Sequence, residues 1–314
     1  MPLNQFQSSG NLTADRRYAY AVELLAEGDA QAAGDLIEQA LELVPNWPAG
    51  WFTLAEAREA SGDRAAAIAA FERALTLDAS DTLGARLHLT RLGAKPTPDQ
   101  PPAAYVRGLF DAYASQFDRA LVDGLDYRAP RLLASALERI VGGRPFRRCL
   151  DLGCGTGLMA EALTGMTGEI DGIDLSANMI EIARSKALYR DLRVADIGVA
   201  MANQPPACYA LITAADVFCY LGDLTTTIAA AARILTSDGL LAFSVESLLE
   251  TDGSNTYALA ESLRYRHAPR YIESIVSEAG LDLLHMSTEN LRKDRGAFIE
   301  GLVVVAKKGF ETRT

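Results

Sequence analysis

The feature of this chain best suited to chemistry is a carboxylate followed by three glycines in five residues: Cys149-Leu150-Asp151-Leu152-Gly153-Cys154-Gly155-Thr156-Gly157-Leu158. Glycine has no Cβ, so such a turn lets backbone press against a ligand, and the helix it opens offers N–H groups to an anion. Seventeen residues past Gly157, Gly172-Ile173-Asp174-Leu175-Ser176 ends a second apolar stretch in a carboxylate. In nucleotide-binding sheets an acid at that place holds ribose hydroxyls. Asp151 precedes the first glycine by two residues, where a carboxylate attracts a cationic amino group and repels a pyrophosphate. Leu158 stands where the dinucleotide fingerprint requires a small third residue. Adenosine with a cationic amino acid tail therefore fits better than a nicotinamide dinucleotide, the serious competitor.

Further candidates lie downstream. Ala195-Asp196-Ile197 and Ala215-Asp216-Val217 end the third and fourth predicted strands, and either aspartate is equally able to cap the segment that follows. Arg264-Tyr265-Arg266-His267 gathers two cations and one of only three histidines. His267 has the chemistry of a general base, and Arg264 or Arg266 that of an anion clamp, against a helix-capping or surface role for the whole cluster. Tyr105, Phe110, Tyr113 and Phe117 fall at i, i+5, i+8 and i+12, spread around a helix rather than along one stripe. Cys149, Cys154, Cys208 and Cys219 form no C-x-x-C pair and have no histidine cluster beside them, so reduced thiols and no metal site are expected.

The elements that must position these residues alternate strand and helix. Strands are predicted near 148–153, 169–175, 192–196, 208–215 and 239–246, with helices near 105–117, 129–141, 157–164, 178–186, 224–235 and 270–279. Two last strands, near 281–287 and 298–306, have no helix between them. The fold class read from this order is α/β, a seven-stranded doubly wound sheet with an antiparallel last strand.

An all-α domain precedes it. Sliding the first hundred residues by 34 superposes Gly28-Asp29 on Gly62-Asp63, Ala33 on Ala67, Ile37 on Phe71 and Ala40-Leu41 on Ala74-Leu75. A third helix near 82–92 reads as the cap that the end of a repeat array requires. Lys95-Pro96-Thr97-Pro98-Asp99-Gln100-Pro101-Pro102 is a semi-rigid linker. The expected domains are thus 1–94, a linker at 95–104, and 105–314.

Composition narrows the classes. The 314 residues carry 30 Lys+Arg against 41 Asp+Glu, a net charge of -11, with 49% hydrophobic residues. An acidic surface makes nucleic acid or an anionic membrane a poor partner. No apolar run reaches the length of a membrane helix and the first twenty residues show no apolar signal region, so a cytoplasmic location is expected.

Taken together, the period of 34 resembles the tetratricopeptide repeat, and Leu150–Gly157 resembles the glycine motif of class I S-adenosylmethionine-dependent methyltransferases. The chain looks like the bacterial methyltransferases that carry such repeats at the N-terminus. The resemblance implies S-adenosylmethionine as cofactor, with S-adenosylhomocysteine as product. It implies that Asp151, Gly153, Cys154, Gly155 and Gly157 cradle the methionine end, and that Asp174 and Leu175 meet the ribose. Met179, Ala195, Asp196 and Ile197 would surround the adenine, and Ala215, Asp216 and Val217 would border the methyl group.

The helix bearing Tyr105, Tyr113 and Phe117 would lie over the cofactor, where aromatic faces attract a sulfonium. On this reading Tyr113 and His267 are candidate catalytic residues, and Tyr105, Phe117, Arg264 and Arg266 candidate substrate contacts. The acceptor is expected to be a small or carrier-bound molecule methylated on O or C, because the fourth strand lacks an Asp-Pro-Pro-Tyr-like ending. The alternatives are a protein methyltransferase that recruits its target through the repeats, and a non-catalytic adaptor. The repeats would bind a protein partner through the first-helix faces with Asp15, Tyr18, Val22, Leu25 and Ala26, and with Ala49, Phe52, Glu56, Glu59 and Ala60, or else pack against the other domain or associate with a second subunit.

Overall fold

The computed structural model describes residues 8–114, 126–249, 256–294 and 296–309. It divides into two compact units with the boundary between Leu109 and Phe110.

The first unit is built from helical hairpins: α1 (Leu12–Glu27) with α2 (Ala30–Leu43), and α3 (Pro48–Ala60) with α4 (Arg64–Leu77). Each hairpin turns by the same device. Gly28 and Gly62 adopt left-handed backbone at φ 90° and 84°, and the next residue, Asp29 or Asp63, caps the following helix by accepting from the N–H of Ala32 or Ala66. Ala33, Ala40, Ala55, Ala67, Ile37 and Phe71 are fully buried between the helices. The small residues let the helices approach closely while the large ones fill the gaps.

Helix α5 (Ala85–Arg91) follows Gly84, whose left-handed backbone abuts the ring of Tyr105. From α5, Arg91 donates to both oxygens of Glu59 at 2.5 and 2.6 Å, and the ring of His88 stacks on Phe71 and meets Phe52 edge-on. Tyr18 is buried against Trp47. Of the residues expected on the binding face, Phe52 and Glu59 are therefore engaged by the capping helix, and Tyr18 belongs to the core. Helix α6 (Ala103–Tyr113) carries the boundary between the units.

The second unit is a nine-stranded sheet. Its parallel centre runs β3 (Asp191–Val194), β2 (Thr167–Asp174), β1 (Phe146–Leu152), β4 (Tyr209–Ala214), β5 (Leu235–Ser247). β8 (Leu281–Asp294) and β9 (Ala297–Lys308) form a long hairpin, and β9 pairs antiparallel with β5. These seven strands are the expected set. The order reverses between β1 and β4, the switch point at which open parallel sheets bind ligands. β4 is buried on both faces, with Tyr209, Leu211, Ile212 and Ala214 at zero exposure.

Helices α7 (Ala129–Val141), α8 (Leu158–Ala162), α9 (Ala177–Ser185), α10 (Ile197–Ala202), α11 (Thr225–Ile234) and α12 (Pro269–Glu278) flank the sheet. One feature departs from expectation. β6 (Tyr257–Leu259) and β7 (Tyr265–His267) make a short antiparallel ribbon, and β7 extends β5 beyond the point where β4 stops. The segment 264–267, for which no strand was expected, contributes β7 to it. It is sheet because the last residues of β5, Glu246 and Ser247, have no β4 partner and pair with Arg266 and His267 instead. No helix among the described residues is long and apolar enough to cross a membrane.

Candidate active site

The site gathers at the carboxyl ends of β1, β2, β4 and β5. Gly153, Gly155 and Gly157 all take left-handed backbone, at φ 61°, 53° and 96°, a conformation costly to any other residue. A Cβ on Gly153 would lie 2.5 Å from Val217, and one on Gly157 3.2 Å from Tyr189, so the turn packs tightly against its own neighbours as well. Gly157 is the residue before α8.

Two carboxylates organise this turn. Asp151 is 1% exposed and accepts from the Tyr189 hydroxyl at 2.7 Å and the Thr213 hydroxyl at 2.9 Å. Its donors are neutral, and burial pushes its carboxyl up to about 7. Asp174 accepts from the N–H of Gly155 at 2.9 Å and of Ser176 at 2.8 Å, which ties the end of β2 to the glycine turn. Burial raises its pKa too, against the pull of those bonds. Ser176 caps α9 through the Met179 N–H and donates its own hydroxyl to Asp111 at 2.5 Å, anchoring the residues that end α6 beside Asp174.

The remaining expected cofactor residues surround this pair. Leu175 is half-buried in the β2–α9 turn, Cys154 is buried with its thiol pKa raised by desolvation, and Met179 is fully buried. Ala195 donates its N–H to the Asp174 carbonyl, Asp196 caps α10 through the Val199 N–H, and half-buried Ile197 begins α10. At Asp196 the structure thus shows the capping role.

The ends of β4 and β5 hold a second, differently balanced cluster. Asp216 sits in left-handed backbone at φ 58°, its N–H donating to Ser244. Arg292, from β8, donates to Asp216 Oδ1 at 2.5 Å and also to Glu246, with Arg292 and Glu246 nearly inaccessible. Arg264 Nη1 stands 3.8 Å from Asp216 Oδ2 and 3.6 Å from Glu246 Oε1, and Arg266 Nε lies 3.9 Å from Glu246 Oε2. Oxygen or sulfur atoms of Asp216, Cys219 and Glu246 come within 4.8 Å of one another, but Arg292 already occupies both carboxylates. The Tyr127 hydroxyl donates to the Ala215 carbonyl at 3.2 Å, and desolvation raises its pKa well above the ordinary value.

His267 does not fit the role of a base. It is fully buried, its Nε2 lies 2.9 Å from the Gly222 carbonyl, and burial pushes its pKa down to about 4. A carbonyl only accepts, so Nε2 carries the proton, and the ring stacks on Tyr271. This is a core histidine of the ribbon. Tyr105 lies in the first unit against Gly84, Tyr113 is half-buried at the end of α6, and Phe117 falls outside the described residues. Tyr127, Tyr189, Thr213, Ser244, Glu246 and Arg292 were not foreseen. Only a carboxylate-bearing strand, such as β5 ending at Glu246 after seven apolar or small residues, offered any signal in the sequence.

The model of a methyltransferase domain matches residues 125–286. The chain belongs to this methyltransferase family. A tetratricopeptide repeat model matches residues 48–81. Among curated relatives, a 2-phytyl-1,4-naphtoquinone methyltransferase of Nostoc sp. is 36% identical over 26% of this chain and 37% of its own length. A ubiquinone biosynthesis O-methyltransferase of Nitrosomonas europaea is 28% identical over 34% of this chain and 47% of its own. The chain thus spans less than half of either relative.

Among solved structures, the Burkholderia thailandensis 1,6-didemethyltoxoflavin-N1-methyltransferase, crystallised with its substrate and S-adenosylhomocysteine, superposes with a TM-score of 0.51 at 18% identity, covering 69% of this chain and 94% of that one. The magnesium protoporphyrin IX methyltransferase of Synechocystis, also with S-adenosylhomocysteine, gives 0.50 at 18% identity over 66% and 99%. At that identity the likeness is one of fold.

Proposed function

We propose that this methyltransferase-family chain transfers the methyl group of S-adenosylmethionine to an oxygen or carbon of a small or carrier-bound acceptor. The observation that carries the reading is the lock between the two strand ends. Asp174 holds the Gly155 N–H of a turn whose three glycines are all left-handed, beside a buried carboxylate, Asp151, that has only neutral donors. That donor set fits a ligand with vicinal hydroxyls at one end and an ammonium at the other. Asp151 and the turn of Gly153, Gly155 and Gly157 would hold the amino acid end, Asp174 the ribose, and Asp196 and Met179 the adenine side. The curated relatives, named for quinones, support a small-molecule acceptor.

The cofactor supplies a sulfonium methyl that reacts by in-line displacement, leaving a neutral thioether. This chain's residues align and shelter the reaction. Asp216 and Val217 border the reacting end, Val217 being set against the turn at Gly153. Asp216 is engaged by Arg292, Tyr127 is a neutral phenol, and His267 is in the core, so an acceptor that needs little help from a strong base suits the site.

Calorimetry with S-adenosylmethionine tests binding, with micromolar affinity expected and undetectable binding up to millimolar favouring a non-catalytic adaptor. Incubation with methyl-labelled cofactor and a metabolite extract tests transfer. Label recovered in small molecules supports the reading, and label confined to protein overturns the acceptor class.

A further inference from the structure

The cluster at the ends of β4 and β5 has one guanidinium more than its carboxylates can satisfy. Asp216 and Glu246 both accept from Arg292, which joins them across the sheet. Arg264, on the turn into β7, reaches the same carboxylates only at 3.6 and 3.8 Å, beyond hydrogen-bond length. Its Nη1 is buried without a hydrogen-bond partner among the described residues. An unpaired guanidinium N–H in such a place is unfavourable until an acceptor arrives. Arg266 adds a third positive charge against the two negative ones, its Nε 3.9 Å from Glu246.

Although Nη1 itself is buried, 26% of the Arg264 side chain as a whole is exposed. Its guanidinium lies 5.2 Å from the centre of the Tyr220 ring, and Phe110 meets Tyr220 edge-on at 5.3 Å. The site thus offers a planar cation beside two aromatic rings. The linkage to the glycine turn is short, since Asp216 faces Arg264 while the next residue, Val217, stands against Gly153.

We infer that Arg264 anchors the methyl acceptor by a carboxylate, making the substrate class a carboxylic acid, with Tyr220 and Phe110 beside the guanidinium. The planar fork of a guanidinium matches the two oxygens of a carboxylate. A doubly charged phosphate is disfavoured, because Asp216 and Glu246 stand within 4 Å of the same guanidinium and repel the second charge more strongly. This inference rests on the methyltransferase reading for the identity of the neighbouring cofactor site, but not for the anion site itself.

The test is calorimetry on the full chain saturated with S-adenosylhomocysteine. The probes are matched acid and amide pairs (benzoate and benzamide, 4-hydroxybenzoate and 4-hydroxybenzamide, octanoate and octanamide) together with inorganic phosphate. At least one acid is expected to bind tenfold or more tightly than its amide. Arg264→Gln should abolish that preference while holding S-adenosylhomocysteine within threefold of the unmodified chain. Arg264→Lys, which keeps the charge and loses the fork, should retain part of it. The proposal is overturned if no pair discriminates, if Arg264→Gln keeps the preference, or if phosphate binds more tightly than every acid. Failure of S-adenosylhomocysteine to bind would instead sink the methyltransferase reading, and the acid–amide comparison on the cofactor-free chain would still decide the anion site.

Discussion

Two neighbouring groups of strand ends in the central sheet handle their carboxylates in opposite ways. At β1 and β2, Asp151 and Asp174 are held by hydroxyls and backbone amides, and desolvation leaves both with raised pKa values. At β4 and β5, Asp216 and Glu246 are bridged by Arg292 with Arg264 beside them. The first arrangement pushes its carboxyls toward the protonated form, and the second has its negative charge cancelled by Arg292 with a further cation beside it.

The most direct way to break this contrast is at Arg292. Arg292→Met would leave buried Glu246 and part-buried Asp216 without their partner, and a loss of about 3–5 kcal/mol is expected in urea unfolding. Adding Glu246→Gln should recover part of it. A single variant as stable as the parent would show that the bridge is not what neutralises this end.

Gly153→Ala attacks the other group. Left-handed backbone and the 2.5 Å approach to Val217 together should cost about 2–4 kcal/mol. Cofactor binding in calorimetry should weaken at least tenfold.

Acidity separates the regions more finely. Asp151 has a folded pKa near 7 against 3.8 unfolded, so between those values the native state holds a proton that the unfolded chain has released, and stability falls as pH rises. His267, near 4 folded against 6.5 unfolded, does the reverse: the unfolded chain takes up the proton, and stability is lost as pH falls. Each slope approaches about 1.4 kcal/mol per pH unit, and in the parent chain they oppose one another. Asp151→Asn should therefore unmask stability that climbs from pH 4 to 6.5, and His267→Gln stability that declines over the same range. Parallel melting curves for all three proteins would contradict both assignments.

The smallest effect is expected from Tyr189→Phe, which removes one of two donors to Asp151. A cost of about 1 kcal/mol above neutral pH, and less below it, would follow from losing a bond that favours the charged carboxylate. An equal cost at both pH values would mean that packing matters and the bond does not.

What the sequence determined by itself is local. A left-handed turn needs glycines wherever it occurs, so Gly153, Gly155, Gly157 and the Gly28 and Gly62 hairpin ends were legible from residue type. Apolar runs of strand length and the period of 34 depend only on neighbours along the chain, and they were enough to place the strands along the sequence and to name both fold classes. Tertiary structure decided what lay far apart in sequence. Tyr189 meets Asp151 across 38 residues and Arg292 meets Asp216 across 76, pairings that exist only because the segment before β3 is brought to the end of β1 and β8 to the ends of β4 and β5. It also removed His267 from chemistry, since a histidine in a polar tetrapeptide looks exposed until β5 outruns β4 and draws that segment into the sheet. Burial, unlike backbone conformation, is a property of the assembled molecule.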